Sequence, residues 1–199
     1  MEKAIANVCR VDIITNETTP VLITIDTSDE VGCEPSVSEG KEEELRVKNK
    51  ILAQNITEDL VKGYNLTLKD TVINPDSFAL IDGGALTFST DKTRFTYAGP
   101  QTGAVVNRKK FTLDIWTEEK DTDGESVGYQ RFRFRKCKGT PVKFSIKDGG
   151  FFAPEYTIKS RPGSSQSPVD LMSFDNLPGS ELTAAQVLTY AMQVTPAGK

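Results

Sequence analysis

Histidine is absent from this sequence of 199 residues. The chain therefore lacks the commonest general base, the commonest metal ligand, and any serine–histidine or cysteine–histidine nucleophile pair. Glycine-rich phosphate loops of the standard spacings are missing, and no cysteine pair has the spacing of a zinc site. Two carboxylates alone can hydrolyse glycosides, but acids are so frequent here that no pair stands out. We therefore expect no enzymatic activity, no cofactor and no bound metal.

Cysteines are few, and long apolar runs are absent. The three cysteines, Cys9, Cys33 and Cys137, are far apart, which is typical of free thiols in a reducing compartment. No stretch approaches the roughly 18 apolar residues that a membrane-spanning helix needs, and the N-terminal residues hold no apolar run of a targeting signal. We expect a soluble protein that is made in the cytoplasm and does not contact membranes.

Basic clusters are also missing. The sequence has 28 acidic and 24 basic residues, a net charge of −4, and no dense block of lysine or arginine. The electrostatic footprint of a DNA-binding protein is therefore absent. A hydrophobic fraction of 37% suffices for one packed core. We interpret residues 1–178 as one β domain and residues 179–199 as a C-terminal appendage that can be helical.

Strand patterns dominate the chain. Alternation of apolar and polar residues with a period of two indicates half-buried strands. It occurs at residues 45–48, 64–69, 111–115, 130–135, 142–147 and 156–159, and residues 21–25 form a β-branched run. Residues 26–44 contain Pro35 and eight acidic residues, which predicts a solvated loop.

One short helix is well signalled. Asn74 can cap it, Pro75 suits its first position, and Gly83 and Gly84 can end it. A second helix is predicted at residues 181–193, after Pro178 and Gly179. The fold class is therefore β-rich α+β: two packed antiparallel β-sheets, sandwich-like or barrel-like, with one short flanking helix.

The acidic run Asp121, Asp123 and Glu125 around Gly124 has two interpretations. It faintly resembles a calcium loop, but it lacks the glycine at the sixth position and the glutamate at the twelfth. As a turn, Asp123-Gly124 favours a two-residue type I′ connection between strands. The turn interpretation predicts a hairpin of residues 110–117 with 130–136.

The register of that hairpin gives the arginines of the second strand a role. A turn at residues 123 and 124 places Leu113 opposite Phe134 and Ile115 opposite Phe132 on an apolar face. On the other face it places Asp114 opposite Arg133 and Trp116 opposite Arg131, an ion pair and a cation–π contact. The alternative, that Arg131, Arg133 and Arg135 bind nucleic acid, lacks interleaved aromatic residues on the same face.

Several longer stretches form phrases that extend over roughly residues 37–177. They are Thr57-Glu58-Asp59, Gly63-Tyr64, Leu68-Lys69-Asp70, Asn74-Pro75, Ala79-Leu80-Ile81-Asp82-Gly83-Gly84, Glu119-Lys120-Asp121-Thr122-Asp123-Gly124, Lys136-Cys137-Lys138-Gly139-Thr140-Pro141, Pro154-Glu155-Tyr156 and Lys159-Ser160-Arg161-Pro162-Gly163. These stretches resemble the bacteriophage major tail protein, or tail tube protein, family, with the closest likeness to phages or prophages of Gram-positive hosts.

This resemblance implies a structural virion protein. It implies a tail-tube fold, hexameric rings stacked into a hollow tube, and passage of DNA through that tube during ejection without specific binding. The location would be the virion tail, assembled in the bacterial cytoplasm, and tape-measure and tail-terminator proteins would be partners. The first 36 residues and those after Gly179 match nothing in the family.

Two candidate sites follow. Residues 49–59 read as a long loop between two strands, and its length and apolar content are unusual for a solvated hairpin connection. In the family such a loop reaches the adjacent ring, so the predicted inter-ring contact residues are Ile51, Leu52, Gln54, Asn55 and Ile56. The alternative is a loop folded onto its own subunit.

The second site is acidic. Glu42, Glu43 and Glu44 are predicted to be exposed or to face the lumen, because burial of several unpaired carboxylates costs too much free energy. Two other functions stay open. One is a carbohydrate- or ligand-binding β-sandwich module, and the other is a different virion subunit, of the capsid decoration or the baseplate.

Overall fold

The computed structural model describes residues 3–179 and 182–192. Within them the chain forms thirteen strands and two helices, in the order β1 (Ala4–Thr15), β2 (Leu22–Ile25), β3 (Ser28–Ser38), β4 (Glu42–Val47), β5 (Lys50–Ile56), β6 (Leu60–Asp70), α1 (Pro75–Asp82), β7 (Ala85–Phe88), β8 (Phe95–Ala98), β9 (Phe111–Lys120), β10 (Ser126–Gly139), β11 (Lys143–Ser145), β12 (Ala153–Ser160), β13 (Asp170–Phe174) and α2 (Ala184–Met192). The β-rich α+β class is confirmed.

One nine-stranded antiparallel sheet forms the body. Its strand order is β2-β1-β9-β10-β12-β6-β3, while β13 pairs with β10 and β11 pairs with β12. The 14-residue strand β10 belongs to both halves, because it pairs with β9 along most of its length and with β12 only at Cys137–Gly139. The register shifts between Phe134 and Cys137, where Lys136 has a φ of 51°. Such a bulge bends a strand sharply.

The main core lies between the two halves of this bent sheet. Its buried side chains come from both halves and from α1, and they are Val11, Ile13, Ile25, Leu66, Leu68, Phe78, Ile81, Phe111, Leu113, Ile115, Phe134, Cys137, Tyr156 and Ile158. The two predicted layers are therefore present, but as halves of one sheet. The small hairpins β4–β5 and β7–β8 form separate two-stranded sheets.

Helix α1 begins and ends as predicted. The Asn74 side chain accepts hydrogen bonds from the backbone amides of Asp76 and Ser77, and Gly83 ends the helix in the left-handed conformation at φ 84°. Its packing against the sheet is close, because a Cβ at Gly139 would lie 2.1 Å from the carbonyl oxygen of Ile81. Glycine is required at that contact.

The prediction of a loop at residues 26–44 is wrong. Strand β3 occupies Ser28–Ser38 and pairs with β6 at the edge of the sheet, and β4 begins at Glu42. Only one side of an edge strand is paired, so proline and charged side chains are tolerated there. In strand β1 charged and apolar residues alternate from Arg10 to Ile13, yet Arg10 and Asp12 are buried as well, so alternation there does not mark an exposed face.

Helix α2 lies within the predicted range 181–193, whose two end residues are outside the described part of the chain. It begins with a capping box. The amide of Gln186 donates to Thr183 Oγ1 at 3.4 Å, and the amide of Thr183 donates to Gln186 Oε1 at 2.8 Å. The division into residues 1–178 and 179–199 stays a prediction.

Candidate assembly surfaces

The β4–β5 hairpin lies within an unbroken run of exposed residues, 41–62. Its two strands pair with each other, from Glu42 opposite Ile56 to Val47 opposite Lys50, and every residue in both is exposed. The predicted loop at residues 49–59 is therefore wrong: a second strand fills most of it. The chain reverses instead at a short turn in which Lys48 adopts a φ of 54°. Alternation of apolar and charged residues at 45–48 indicated β4. Residues 50–56 do not alternate in this way, so the pattern did not predict β5.

The predicted inter-ring residues all lie on β5. Ile51, Leu52 and Ile56 are 52%, 61% and 60% exposed, and Gln54 and Asn55 lie between them in sequence. Leu45 and Val47 on β4 are exposed as well, at 59% and 50%. The exposed apolar residues continue at the base of the hairpin with Val37, Leu60 and Val61. We call these eight apolar side chains the hairpin surface. Because successive strand residues point to opposite faces, Leu45 and Val47 lie on one face of the hairpin and Ile56, which is paired with Glu42, lies on the other. The hairpin thus presents apolar side chains on both faces, where a partner molecule can bury them.

The acidic candidates lie on the same hairpin. Glu42, Glu43 and Glu44 are exposed on β4, and Glu44 accepts a hydrogen bond from the Gln54 amide at 3.0 Å. Their position relative to a lumen stays a prediction.

The β9–β10 hairpin has the predicted register in its body. Leu113 pairs with Phe134, Ile115 with Phe132, Asp114 with Arg133, and Trp116 with Arg131. The predicted type I′ turn is wrong, because only Gly124 of the central residues has a positive φ, at 84°. The turn is instead held by Asp121, whose carboxylate accepts from the amides of Asp123 and Glu125. A register shift between Ser126 and Gly128 then restores the predicted pairing.

Arg133 and Arg131 are each 1% exposed, so neither can contact nucleic acid from this fold. Arg133 forms a two-pronged ion pair with Asp114, with Nε–Oδ1 at 2.7 Å and Nη2–Oδ2 at 2.6 Å. Arg131 lies over the rings of Trp116 and Phe174, at 5.8 Å and 4.9 Å from their centroids. Burial lowers the pKa of the Arg131 guanidinium. Arg135 pairs with Asp170.

Sequence reasoning did not find the buried polar group beside this pair. Asp12 lies opposite Asp114 on β1, accepts from Arg10 at 2.9 Å, and also accepts from the Trp116 indole at 3.0 Å. Burial raises the pKa of the Asp12 carboxyl above its ordinary value of 3.8. The only sequence signal was a pair of charged residues spaced two apart within an apolar stretch, Arg10 and Asp12.

Helix α2 covers this polar group. Its Tyr190 hydroxyl donates to Asp12 at 3.1 Å, and its Val187 is 3% exposed. Together with Ile14 and Trp116 these two residues form a second, smaller core on the outer face of the sheet.

An apolar pocket of about 230 Å³ lies beside α1. Its lining comes from α1, the β7–β8 hairpin and the segment that precedes β12, and consists of Ile73, Pro75, Phe78, Leu86, Phe95, Tyr97, Phe144 and Phe152. The Tyr97 hydroxyl is held by Asp82. The pocket can accept an apolar group, but it presents no convergent set of polar side chains.

The described residues offer little reactive chemistry. They hold no cluster of acids, cysteines or histidines that could bind a metal ion. Burial raises the pKa of Cys137 to about 12 and that of Cys9 to about 11, so these thiols stay protonated and unreactive at neutral pH. Within residues 3–179 and 182–192, no helix is long and apolar enough to span a membrane.

No protein-family model and no curated protein matches the sequence. Among solved structures, the chain is similar to one from the anti-feeding prophage baseplate, with a TM-score of 0.41 and 10% identity over 86% of this chain and 97% of that chain. It is also similar to a chain of the PVC sheath–tube complex, an extracellular contractile injection system in its extended state. There the TM-score is 0.44 and the identity 14%, over 84% and 90% of the two chains. Likenesses this weak establish neither a family nor a role for this chain.

Proposed function

We propose that this protein is a structural subunit, without enzymatic activity, that assembles with copies of itself into stacked hexameric rings forming a phage tail tube. The observation that carries the proposal is the hairpin surface. Five large apolar side chains on β4 and β5 are 50–61% exposed, and no other described strand pairs with that hairpin. Such exposure is costly for a lone subunit and is relieved by burial against a partner.

The edges of the main sheet support assembly as well. Strands β2 and β3 end its pairing order, so each leaves one side unpaired. Head-to-tail contacts in a closed ring can cover such edges, which otherwise favour aggregation. The sequence resemblance to tail tube proteins supplies the specific form of the assembly, six-membered rings that stack.

The charge distribution fits a conduit for DNA. The net charge is −4, and two of the three arginines on β10 are buried in contacts within the subunit. A wall that does not bind phosphates lets the nucleic acid slide. In this proposal the protein is assembled in the bacterial cytoplasm and resides in the virion tail, with tape-measure and tail-terminator proteins as partners.

The proposal is tested by replacing residues 51–56 with glycine and serine. We expect the variant subunit to fold, because these side chains are exposed, but to form no tubes under the electron microscope at concentrations where the wild type does. The matched control is Val105→Ser with Ile146→Ser, which removes apolar residues that are 99% and 78% exposed elsewhere. Normal tubes from the hairpin variant would refute the assignment. A baseplate or decoration subunit would give single rings or no polymer.

A ligand-binding module is the second candidate, because the pocket beside α1 is lined entirely by apolar and aromatic residues. Binding of an apolar fluorescent probe that Phe144→Ser abolishes, from a protein that stays monomeric at all concentrations, would favour it.

A further inference from the structure

Strands β3 and β6 form one edge of the main sheet and separate two apolar surfaces. They pair from Ser38 opposite Leu60 to Ser28 opposite Asp70. The β4–β5 hairpin joins the ends at Ser38 and Leu60, whereas Ile73, which lines the pocket beside α1, follows the end at Asp70. The ten residue steps of β6 span about 33 Å, and the hairpin is only about 20 Å long. The hairpin therefore does not reach the pocket of its own chain.

The pocket beside α1 is open to solvent at an aromatic rim. Phe95 and Phe144, two of its lining residues, are 44% and 56% exposed, and Phe88, paired with Phe95, is 46% exposed. A dry apolar cavity of about 150 Å³ holds a benzene molecule. The pocket, at about 230 Å³, has room for a leucine or isoleucine side chain. It is therefore suited to bury the apolar side chains that the hairpin exposes.

The charges around the two surfaces are opposite in sign. The base of the hairpin, residues 34–44 and 57–59, holds seven acidic residues and one lysine. The segments that supply most of the pocket lining, residues 75–110 and 143–152, hold seven basic and four acidic residues. Two of the basic residues, Arg94 and Lys143, directly precede Phe95 and Phe144 and are exposed. Opposite charges orient two surfaces and speed their encounter.

We propose that the pocket beside α1 is the docking site for the β4–β5 hairpin of a second copy of this chain. This inference rests on the proposed self-assembly and names the surface that the hairpin contacts. The hairpin and the pocket lie at opposite ends of β6, so two docked copies still offer one free hairpin and one free pocket. A head-to-tail contact of this kind does not close between two copies but repeats as an open stack. Stacked rings need such a contact.

The test uses two variants, each of which lacks one of the two surfaces. The hairpin variant has residues 51–56 replaced by glycine and serine and keeps its pocket. The pocket variant, Phe95→Ser with Phe144→Ser, keeps its hairpin. Its matched control is Val127→Ser with Leu171→Ser, which removes apolar side chains that are 56% and 50% exposed on β10 and β13. If the pocket variant does not fold, Arg94→Glu with Lys143→Glu reverses two exposed charges beside the pocket instead.

We expect neither variant alone to form tubes, and the control to form them as the wild type does. A mixture of the two variants should form larger particles than either alone in the analytical ultracentrifuge. The reason is that the intact hairpin of the pocket variant docks into the intact pocket of the hairpin variant. Replacing the pocket variant by a chain that carries both sets of substitutions should remove this growth.

Normal tubes from the pocket variant would overturn the docking and leave the proposed function intact. A mixture that does not grow beyond its separate parts would do the same. An apolar fluorescent probe, anilinonaphthalene sulfonate, should bind the open pocket of the hairpin variant more than it binds wild-type tubes. Equal binding would show a pocket that takes a small ligand and no hairpin. Tubes from the hairpin variant, or no assembly of the wild type, would overturn both proposals.

Discussion

The β9–β10 and β4–β5 hairpins are both antiparallel pairs, yet their surroundings are opposite. Both faces of β9–β10 are covered by the same chain: Leu113 and Phe134 face the main core, while Trp116 and Arg131 face α2 and Phe174. Every residue of strands β4 and β5 is exposed. One hairpin is satisfied within the subunit, and the other carries apolar residues without internal cover. In the proposed assembly, the apolar contacts of the second come from other molecules.

The comparison also separates two uses of charge. Three charged residues of β9–β10, Asp114, Arg131 and Arg133, are buried and held by specific partners, whereas the three glutamates at positions 42–44 are exposed to solvent. Buried charges are expensive to separate, and exposed ones are cheap to change. Substitutions of the buried charges in β9–β10 should therefore mainly lower stability. Substitutions in β4–β5 should leave stability nearly unchanged and affect the proposed assembly.

The largest effect is expected from Arg133→Ala, which leaves the Asp114 carboxylate buried without its two-pronged partner. We expect a loss of about 3–5 kcal/mol in the free energy of unfolding, measured with denaturant. The control is Lys69→Ala, which breaks the exposed pair with Glu30 and should change the free energy of unfolding far less, because solvent screens that pair. Equal losses of unfolding free energy in both variants would show that the buried ion pair contributes no more to stability than the exposed one.

A smaller effect is expected from Asp12→Asn. Burial raises the pKa of Asp12, so the folded state holds its proton more tightly than the unfolded state. The stability contributed by this group is present at low pH and is lost as the pH rises from 3.8 through the raised pKa.

The asparagine variant should therefore gain stability relative to the wild type across that range, on the order of 1.4 kcal/mol for each unit by which the pKa is raised. Denaturant unfolding between pH 3 and pH 7 measures the difference. A constant difference would show that the pKa of Asp12 is the same in the folded and the unfolded state.

The difference in burial between the two hairpins also explains which of their features could be predicted from the sequence. The register of β9–β10 was predictable because both of its faces are covered, so alternation is strict and a slip would mix the apolar and charged faces. The turn type was not, because the carboxylate of Asp121 and a bulge near Val127 set it jointly. The turn and the bulge shift the register in opposite directions, so the alternation of apolar and polar residues beyond them is unchanged and does not reveal either.

Strands β3 and β5 could not be predicted, because alternation reports burial, and these strands are largely exposed. The buried residues Arg10 and Asp12 were missed for the opposite reason: they contact each other and residues far along the chain, Pro178 for Arg10 and Tyr190 of α2 for Asp12. The α1 caps were readable because they use only local hydrogen bonds.

Removing glycine from the β9–β10 turn should destabilise that hairpin, whereas introducing glycine into the β4–β5 turn should stabilise it. Gly124 has a φ of 84°, so Gly124→Ala should destabilise the β9–β10 turn by about 1 kcal/mol. Lys48 has a φ of 54°, so Lys48→Gly should relieve strain and stabilise the β4–β5 turn by a similar amount. Amide hydrogen exchange in each hairpin measures the two effects separately. A loss of protection in both variants would show that Lys48 is not strained.

The smallest effect on stability is expected from the combined reversal of Glu42, Glu43 and Glu44 to lysine. These side chains are exposed, so each substitution should change the free energy of unfolding by no more than about 0.5 kcal/mol, and the circular dichroism spectrum should stay that of the wild type. Glu119→Lys is the contrasting control, because Glu119 accepts hydrogen bonds from Lys3 at 2.6 Å and Gln130 at 2.7 Å.

Unfolding of the triple variant would show that the three acids stabilise the fold beyond the exposed hydrogen bond from Gln54 to Glu44, and the contrast between the hairpins would then fail. With the fold intact, the same variant reports on position in the assembly. If the acids line the lumen of the proposed tube, the proposed six copies in each ring would place many lysines along the path of DNA, and phosphates would bind them. DNA ejection should then slow and infectivity should fall. Both defects should be smaller at high salt, because screening weakens the contacts between lysine and phosphate. Unchanged ejection with normal tubes would place the acids on the outer wall.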